Sequence, residues 1–280
     1  MSELLERLSD AVSGPVLVHS DVSRVMGAIK PTTDRTTLLQ RHVEVLEGAS
    51  ADGLFFPTFN YGFPGTGIYD VEADPSEVGV LSEYARQHWA EWRTPMPIFS
   101  FVGRGEAPSG TGDVASPGTE LDPFDDASLF GHLRRARGTV LMYGAPFRSF
   151  TGIHHIEAMA GRPAYRYDKW FSGRLVRAGE AAAPLRLRYH VRPLGMRLDY
   201  DWPRLREDAL EGGELTVLRA PGVTVEALDF SALAGRWADR IQAEPMFLLD
   251  DASKALVGPK LAELGRRFAL SDFEEAAADD

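Results

Sequence analysis

The sequence predicts an α/β protein, with helices layered on both faces of a central, mostly parallel sheet and a smaller C-terminal α+β subdomain. Three observations carry this. Continuous apolar runs bounded by turn residues occur at 16–21, 54–59 and 139–144, as strands buried on both faces require. Segments of helical periodicity separate them, which is the pattern of parallel strands joined by crossover helices. Beyond Gly173 the strands change character, and LRLRYHVR at 185–192 alternates apolar and basic side chains in the manner of an antiparallel strand with one wetted face. The expected organisation is a single domain over 1–280, with a core of about 14–173 and a subdomain of about 174–270.

The elements follow in order. Leu4, Leu5, Leu8 and Ala11 mark a short helix that leads through Gly14-Pro15 into the strand VLVHSD. Leu38, Leu39, His42, Val43 and Leu46 recur at helical spacing before the strand LFFPTF at 54–59. Residues 60–74 are rich in Gly and Tyr and are expected to form an irregular binding loop. Asp74-Pro75-Ser76 reads as the cap and first turn of a helix containing Val80, Leu81, Tyr84, Ala85 and Trp89. IFSFVG at 98–103 reads as a strand, and a Gly-, Ser-, Pro- and Asp-rich connection covers 106–126. A helix with Leu129, Leu133 and Ala136 delivers the chain to the strand TVLMYG at 139–144, and the next helix stops near Gly161. ELTVLRA at 214–220 suits another strand, Val223–Ile241 and Ala252–Phe268 have helical periodicity, and 274–280 are expected to fray.

Composition removes several function classes. The 280 residues carry 30 Lys plus Arg against 41 Asp plus Glu, a net charge of −11, and no cysteine. Disulfides, thiolate zinc sites and cysteine nucleophiles are therefore excluded. Without a block of basic residues, the acid excess argues against nucleic acid as a partner. The longest apolar runs fall far short of a bilayer and the first residues do not read as a signal peptide, so the expected protein is cytoplasmic with no membrane insertion. A homodimer is allowed, and nothing in the sequence decides the oligomeric state.

Two strand ends hold the candidate chemistry, where open α/β sheets place their ligands. Thr151, His154 and Glu157 stand three apart after the strand TVLMYG, so a helix there sets them along one face. A carboxylate one turn from an imidazole fixes its tautomer and leaves the other ring nitrogen to take a proton. The ordinary alternative is a surface His–Glu pair with His155 on the solvated side. No HExxH motif or third ligand accompanies the pair, and no metal is expected. His19, Ser20 and Asp21 end the first apolar strand, where they suit either ligand contact or turn chemistry. Gly27, Lys30 and Thr32 form a small cationic patch suited to a phosphate. Arg162, Arg166, Lys169, Arg174 and Arg177, interleaved with Tyr165, Tyr167, Trp170 and Phe171, read either as a substrate-binding cluster or as a solvated face. Glycine-rich dinucleotide, P-loop and GxSxG signatures are absent.

Four segments, taken in order, resemble motifs of the aminoglycoside 3-N-acetyltransferase family, which has the antibiotic N-acetyltransferase fold. They are VLVHSDVSRVMG at 16–27, DGLFFPTFN at 52–60, PFDDASLFGHL at 123–133 and TGIHHIE at 151–157, the last matching Thr-x-x-His-x-x-Glu. The resemblance implies acetyl transfer from acetyl-CoA to an amine, with His154 as base, Glu157 as orienting carboxylate and Thr151 as the motif threonine. It also implies cofactor contacts from His19, Ser20, Asp21 and Ser128, to which the patch at Lys30 is added. Arg148, Tyr167 and Lys169 are the expected substrate contacts. The sequence departs from the family where Met96 and Phe99 replace two histidines, and where Pro146 and Arg148 stand in a loop that is usually acidic. YRYDKWFSG at 165–173 resembles the sugar- and polysaccharide-biosynthesis branch of the family. An amino sugar or sugar-like amine is the expected acceptor, because Arg148 opposes a polycation. The alternatives are an aminoglycoside acceptor, a catalytically inactive CoA-binding protein and a thioester hydrolase.

Overall fold

A computed structural model describes residues 2–50, 52–109, 111 and 119–274. The elements run α1 (Ser2–Ala11), β1 (Val16–Ser20), α2 (Arg35–Ala49), β2 (Leu54–Pro57), α3 (Phe63–Thr66), β3 (Ile68–Asp70), α4 (Val80–Tyr84) and β4 (Trp92–Arg93). There follow β5 (Phe101–Gly103), β6 (Thr119–Leu121), α5 (Leu129–Arg135), β7 (Thr139–Tyr143), α6 (Ile153–Met159), β8 (Tyr167–Val176) and β9 (Ala183–Val191). The chain ends with α7 (Trp202–Glu211), β10 (Leu215–Ala220), β11 (Val223–Asp229), α8 (Phe230–Ala243) and α9 (Asp251–Leu264).

A seven-stranded sheet in the order β10-β11-β7-β1-β2-β5-β4 forms the centre. It is mixed: parallel pairing is confined to β7, β1 and β2, and the flanking strands join antiparallel. The apolar runs of the three central strands follow from coverage on both faces. Leu17, Val140 and Met142 enter one core beneath α5, α6 and α8, while Val16, Val18 and Leu141 enter the other beneath α1, α2 and α4. Each such side chain is worth about 1.5–3 kcal/mol of burial. A second, four-stranded sheet in the order β3-β8-β9-β6 is built on the long antiparallel β8–β9 pair.

Several elements differ from the sequence expectations. Residues 60–74 contain one helical turn, α3, and the short strand β3, which pairs in parallel with β8. The helix after Asp74 begins at Val80 behind Gly79, and the Asp74 carboxylate instead accepts from the Asp70 amide. IFSFVG is only half a strand: Ile98 takes a positive φ of 66° and pairs with Asn60 only as an isolated bridge, and the regular strand starts at Phe101. The first seven residues of the run from Val223 form β11, since pairing with both β10 and β7 outweighs their helical spacing. Glu274 is held by Tyr167 and Lys169 rather than frayed; the other residues of the expected tail lie outside the described ones.

Candidate active site

Parallel pairing of β1 with β7 aligns His19 with Met142 and Ser20 with Tyr143, so both chain segments leave the sheet at the same edge. Gly144 makes this approach practicable: its φ is 74°, and a Cβ there would lie 2.4 Å from the Asp21 carbonyl oxygen. The loop after β7 then carries Arg148, Ser149 and Thr151 over the end of β1. Together with His19, Ser20 and Tyr61 they line a cleft of about 380 Å³.

One turn beyond Thr151, α6 presents His154 and Glu157. The His154 Nδ1 lies 2.9 Å from Glu157 Oε2; since a carboxylate only accepts, Nδ1 carries the proton and Nε2 keeps its lone pair. Glu157 is buried and its second oxygen is equally committed. Oε1 accepts from the Tyr200 hydroxyl at 2.8 Å and the Tyr165 hydroxyl at 3.0 Å, and Arg166 Nε forms an ion pair with it at 3.3 Å. Arg166 is itself buried, and its terminal nitrogens donate to the Tyr200 hydroxyl at 2.6 Å and the His190 carbonyl at 3.3 Å.

Electrostatics set the protonation of this cluster. Burial pushes the Glu157 carboxyl up, but the Arg166 cation and the hydrogen bonds from His154 and Tyr200 outweigh it and hold the pKa at about 2. Burial lowers the His154 pKa; the Glu157 hydrogen bond opposes this and Arg166 adds to it, leaving the ring below its ordinary value. The result is a neutral imidazole, oriented by an ionised carboxylate, at neutral pH. Such a pair can take a proton from a nucleophile and return it.

His19 is a different case. Burial alone lowers its pKa to about 4, and its Nε2 has no hydrogen-bond partner although the side chain lines the cleft. A buried polar atom left unpaired costs about 1–3 kcal/mol, so this nitrogen suits a hydrogen bond from or to a ligand. Ser20 lines the same cleft.

The other expected site residues are elsewhere. Asp21 caps the turn that follows, accepting from the Ser23 amide at 3.2 Å and pairing with Arg24, which is turn chemistry. Ser128 caps α5 and donates to the Asp125 carbonyl at 2.6 Å; it lines a separate cavity of about 180 Å³ with Met96 and Phe99. Lys30 is exposed beyond β1 and does not line the cleft, while its carbonyl accepts from Arg41. Tyr167 and Lys169 are occupied by the chain itself: the Tyr167 hydroxyl and the Lys169 ammonium both bind Glu274, and the Tyr167 ring stacks on Phe273. Both lie on β8, where the C-terminal segment packs.

His154 does not line the 380 Å³ cleft; Thr151 does, and the Thr151 carbonyl accepts from the His154 amide at 3.1 Å. His155 is fully buried and bonded to the Phe124 carbonyl at 2.8 Å, so the surface-pair alternative fails. Sequence reasoning missed Tyr200, which is 43 positions from Glu157 and has no motif to mark it. It also read Arg166 within an exposed cluster or a substrate site, whereas the residue is buried against Glu157.

The family model described as aminoglycoside 3-N-acetyltransferase matches residues 60–237. Among solved structures, AAC-IIIb, in a binary complex with CoASH, is 18% identical with a TM-score of 0.67, over 85% of this chain and 96% of that one. AAC-VIa, bound to sisomicin, is 19% identical with a TM-score of 0.62, over 86% and 97%. YokD from Bacillus subtilis is 16% identical with a TM-score of 0.61, over 87% and 99%. At these identities the likeness establishes the α/β fold with its smaller second sheet. No curated protein sequence matches the chain.

Proposed function

Since the chain belongs to the aminoglycoside 3-N-acetyltransferase family, and is a CoA-dependent acetyltransferase by that membership, we propose that it acetylates a primary amine of an amino-bearing sugar or aminocyclitol by direct attack on the thioester. The observation that carries this is the 2.9 Å hydrogen bond between His154 Nδ1 and the buried Glu157, which leaves Nε2 as the base.

The neutral amine attacks the thioester carbonyl carbon, and His154 Nε2 accepts the proton that the nitrogen loses. Glu157 stabilises the resulting imidazolium. The tetrahedral intermediate collapses by breaking the carbon–sulfur bond, and the departing thiolate takes the proton back from His154, giving the amide and free CoA. Arg166, Tyr165 and Tyr200 hold Glu157 in place and ionised throughout. His19 and Ser20 serve the donor side of the cleft, and Thr151 supplies a hydroxyl close to the reacting groups. The pantetheine arm is neutral and rich in amides, which fits an unpaired imidazole nitrogen beside a hydroxyl.

Two acceptors are supported by different observations. The family description and the sisomicin complex of AAC-VIa favour an aminoglycoside. The cleft favours an amino sugar of lower positive charge, because Arg148 lines it and no carboxylate does among the described residues. An acceptor panel with release of free CoA as readout decides between them; lacking cysteine, the chain adds no thiol background. Faster acetylation of tobramycin than of glucosamine selects the aminoglycoside, and the reverse selects the amino sugar. CoA binding without transfer to any amine rejects the reaction, while CoA release at the same rate without an amine identifies a hydrolase.

A further inference from the structure

The charge balance of the cleft is the reverse of that of the chain. Over the whole sequence acids outnumber bases by 41 to 30, yet in the cleft at the ends of β1 and β7 the only residue with a formal charge, among the described residues, is Arg148. Its guanidinium is exposed and makes no hydrogen bond or ion pair among the described residues. Most other arginines near the two sheets are engaged: Arg24 with Asp21, Arg162 with Asp122, Arg166 with Glu157, Arg188 with Asp168 and Arg206 with Glu226. Glu77 accepts from the Tyr61 amide at 3.3 Å and is not part of the lining. Ser149, Thr151 and Tyr61 line the same cleft, and hydroxyls with a guanidinium form a donor set for an oxyanion. Beyond β9, Arg192 is likewise exposed, makes no hydrogen bond or ion pair among the described residues, and adds positive potential at His154.

We infer that Arg148 is an anion subsite for the acceptor, so that the amine substrate carries a carboxylate or a phosphate monoester near the nitrogen that is acetylated. The inference rests on the proposed acetyl transfer. The chemistry of the donor argues that the anion belongs to the acceptor. The sulfur end of CoA is uncharged, and its phosphates lie a full pantetheine arm away from the thioester. Arg148 shares the cleft with Thr151, whose carbonyl accepts from the His154 amide at 3.1 Å, and the proposed reaction puts the thioester end of that arm at His154. An anion there also offsets the acceptor ammonium, giving a ligand of low net charge in a cleft with no carboxylate to pair with a polycation.

The test compares glucosamine, glucosamine 6-phosphate, 2-amino-2-deoxyglucuronic acid and tobramycin as acceptors, and measures binding of glucosamine and its 6-phosphate by calorimetry with CoA present. The parent should prefer an anionic amino sugar over glucosamine by roughly tenfold in kcat/KM, the size of one charge-assisted hydrogen bond. Arg148→Ala should bring that ratio close to one, and Arg148→Glu should invert it. The KM for acetyl-CoA and that for acetyl-pantetheine should respond alike in the variants. Three results overturn the inference: a parent preference for tobramycin, binding indifferent to the phosphate, or an Arg148→Ala defect seen with acetyl-CoA and absent with acetyl-pantetheine, which assigns the cation to the donor phosphates. Failure of acetyl transfer with an intact, Arg148-dependent preference in binding rejects the reaction and leaves the subsite standing.

Discussion

Two clusters that the sequence offers as site chemistry come out differently in the tertiary structure. On α6, His154 and Glu157 sit in a buried network in which each polar atom of the carboxylate has a partner and the His154 Nε2 is left over. On β8, Tyr167 and Lys169 also meet a carboxylate, but it is Glu274 of the same chain, and among the described residues no ring nitrogen bonds to it. The first arrangement conserves a reactive atom; the second consumes its polar groups in anchoring the C-terminal segment. Residue type and local spacing are alike suggestive in both. What separates them is whether the structure leaves an atom free to react.

The largest expected effect tests the first cluster. His154→Ala should retain fold and CoA binding and lower kcat/KM by about 10²–10⁴, the range for loss of a general base; equal kcat/KM in variant and parent removes His154 from the reaction. Next comes Arg166→Met, which leaves the Glu157 carboxylate buried without its cation and should cost about 3–5 kcal/mol in urea unfolding. Adding Glu157→Gln should recover part of that loss, and no recovery would show that Arg166 acts through packing alone. Third is the pH dependence. His19 and His42 have folded pKa values of about 4 against 6.5 unfolded, so the unfolded state binds more protons between those values and stability falls as pH drops through that window. Each group contributes on the order of 1 kcal/mol per pH unit at most. Glu157, depressed to about 2, adds a further loss as pH falls from about 4.5 towards 2. A urea midpoint that stays flat from pH 6.5 to 4 contradicts the burial of these rings. The smallest effect belongs to the second cluster. Lys169→Met should change stability by about 1 kcal/mol or less and leave the KM of the acceptor unchanged; a large rise in KM would return Lys169 to the site.

Much of the core was legible because it depends on local pattern. VLVHSD, LFFPTF and TVLMYG are continuous apolar runs, and only a strand covered on both faces uses such a run in an α/β protein. Thr151, His154 and Glu157 were legible as a set because three-residue spacing survives into a helix or its first turn. Asp21 and Ser128 looked like ligand contacts because caps and ligand sites draw on the same short polar side chains; only the observed hydrogen bonds separate the two uses.

The sequence by itself determined the α/β layering, the strand ends that border the candidate site, and the imidazole–carboxylate spacing, since hydrophobic periodicity and helical geometry act over a few residues. Tertiary structure alone decided that Arg166 and Tyr200 close around Glu157, that β10 and β11 extend the main sheet, and that Glu274 occupies Tyr167 and Lys169. These contacts join residues far apart in the chain, and their stability comes from shared burial and charge pairing that no local pattern encodes.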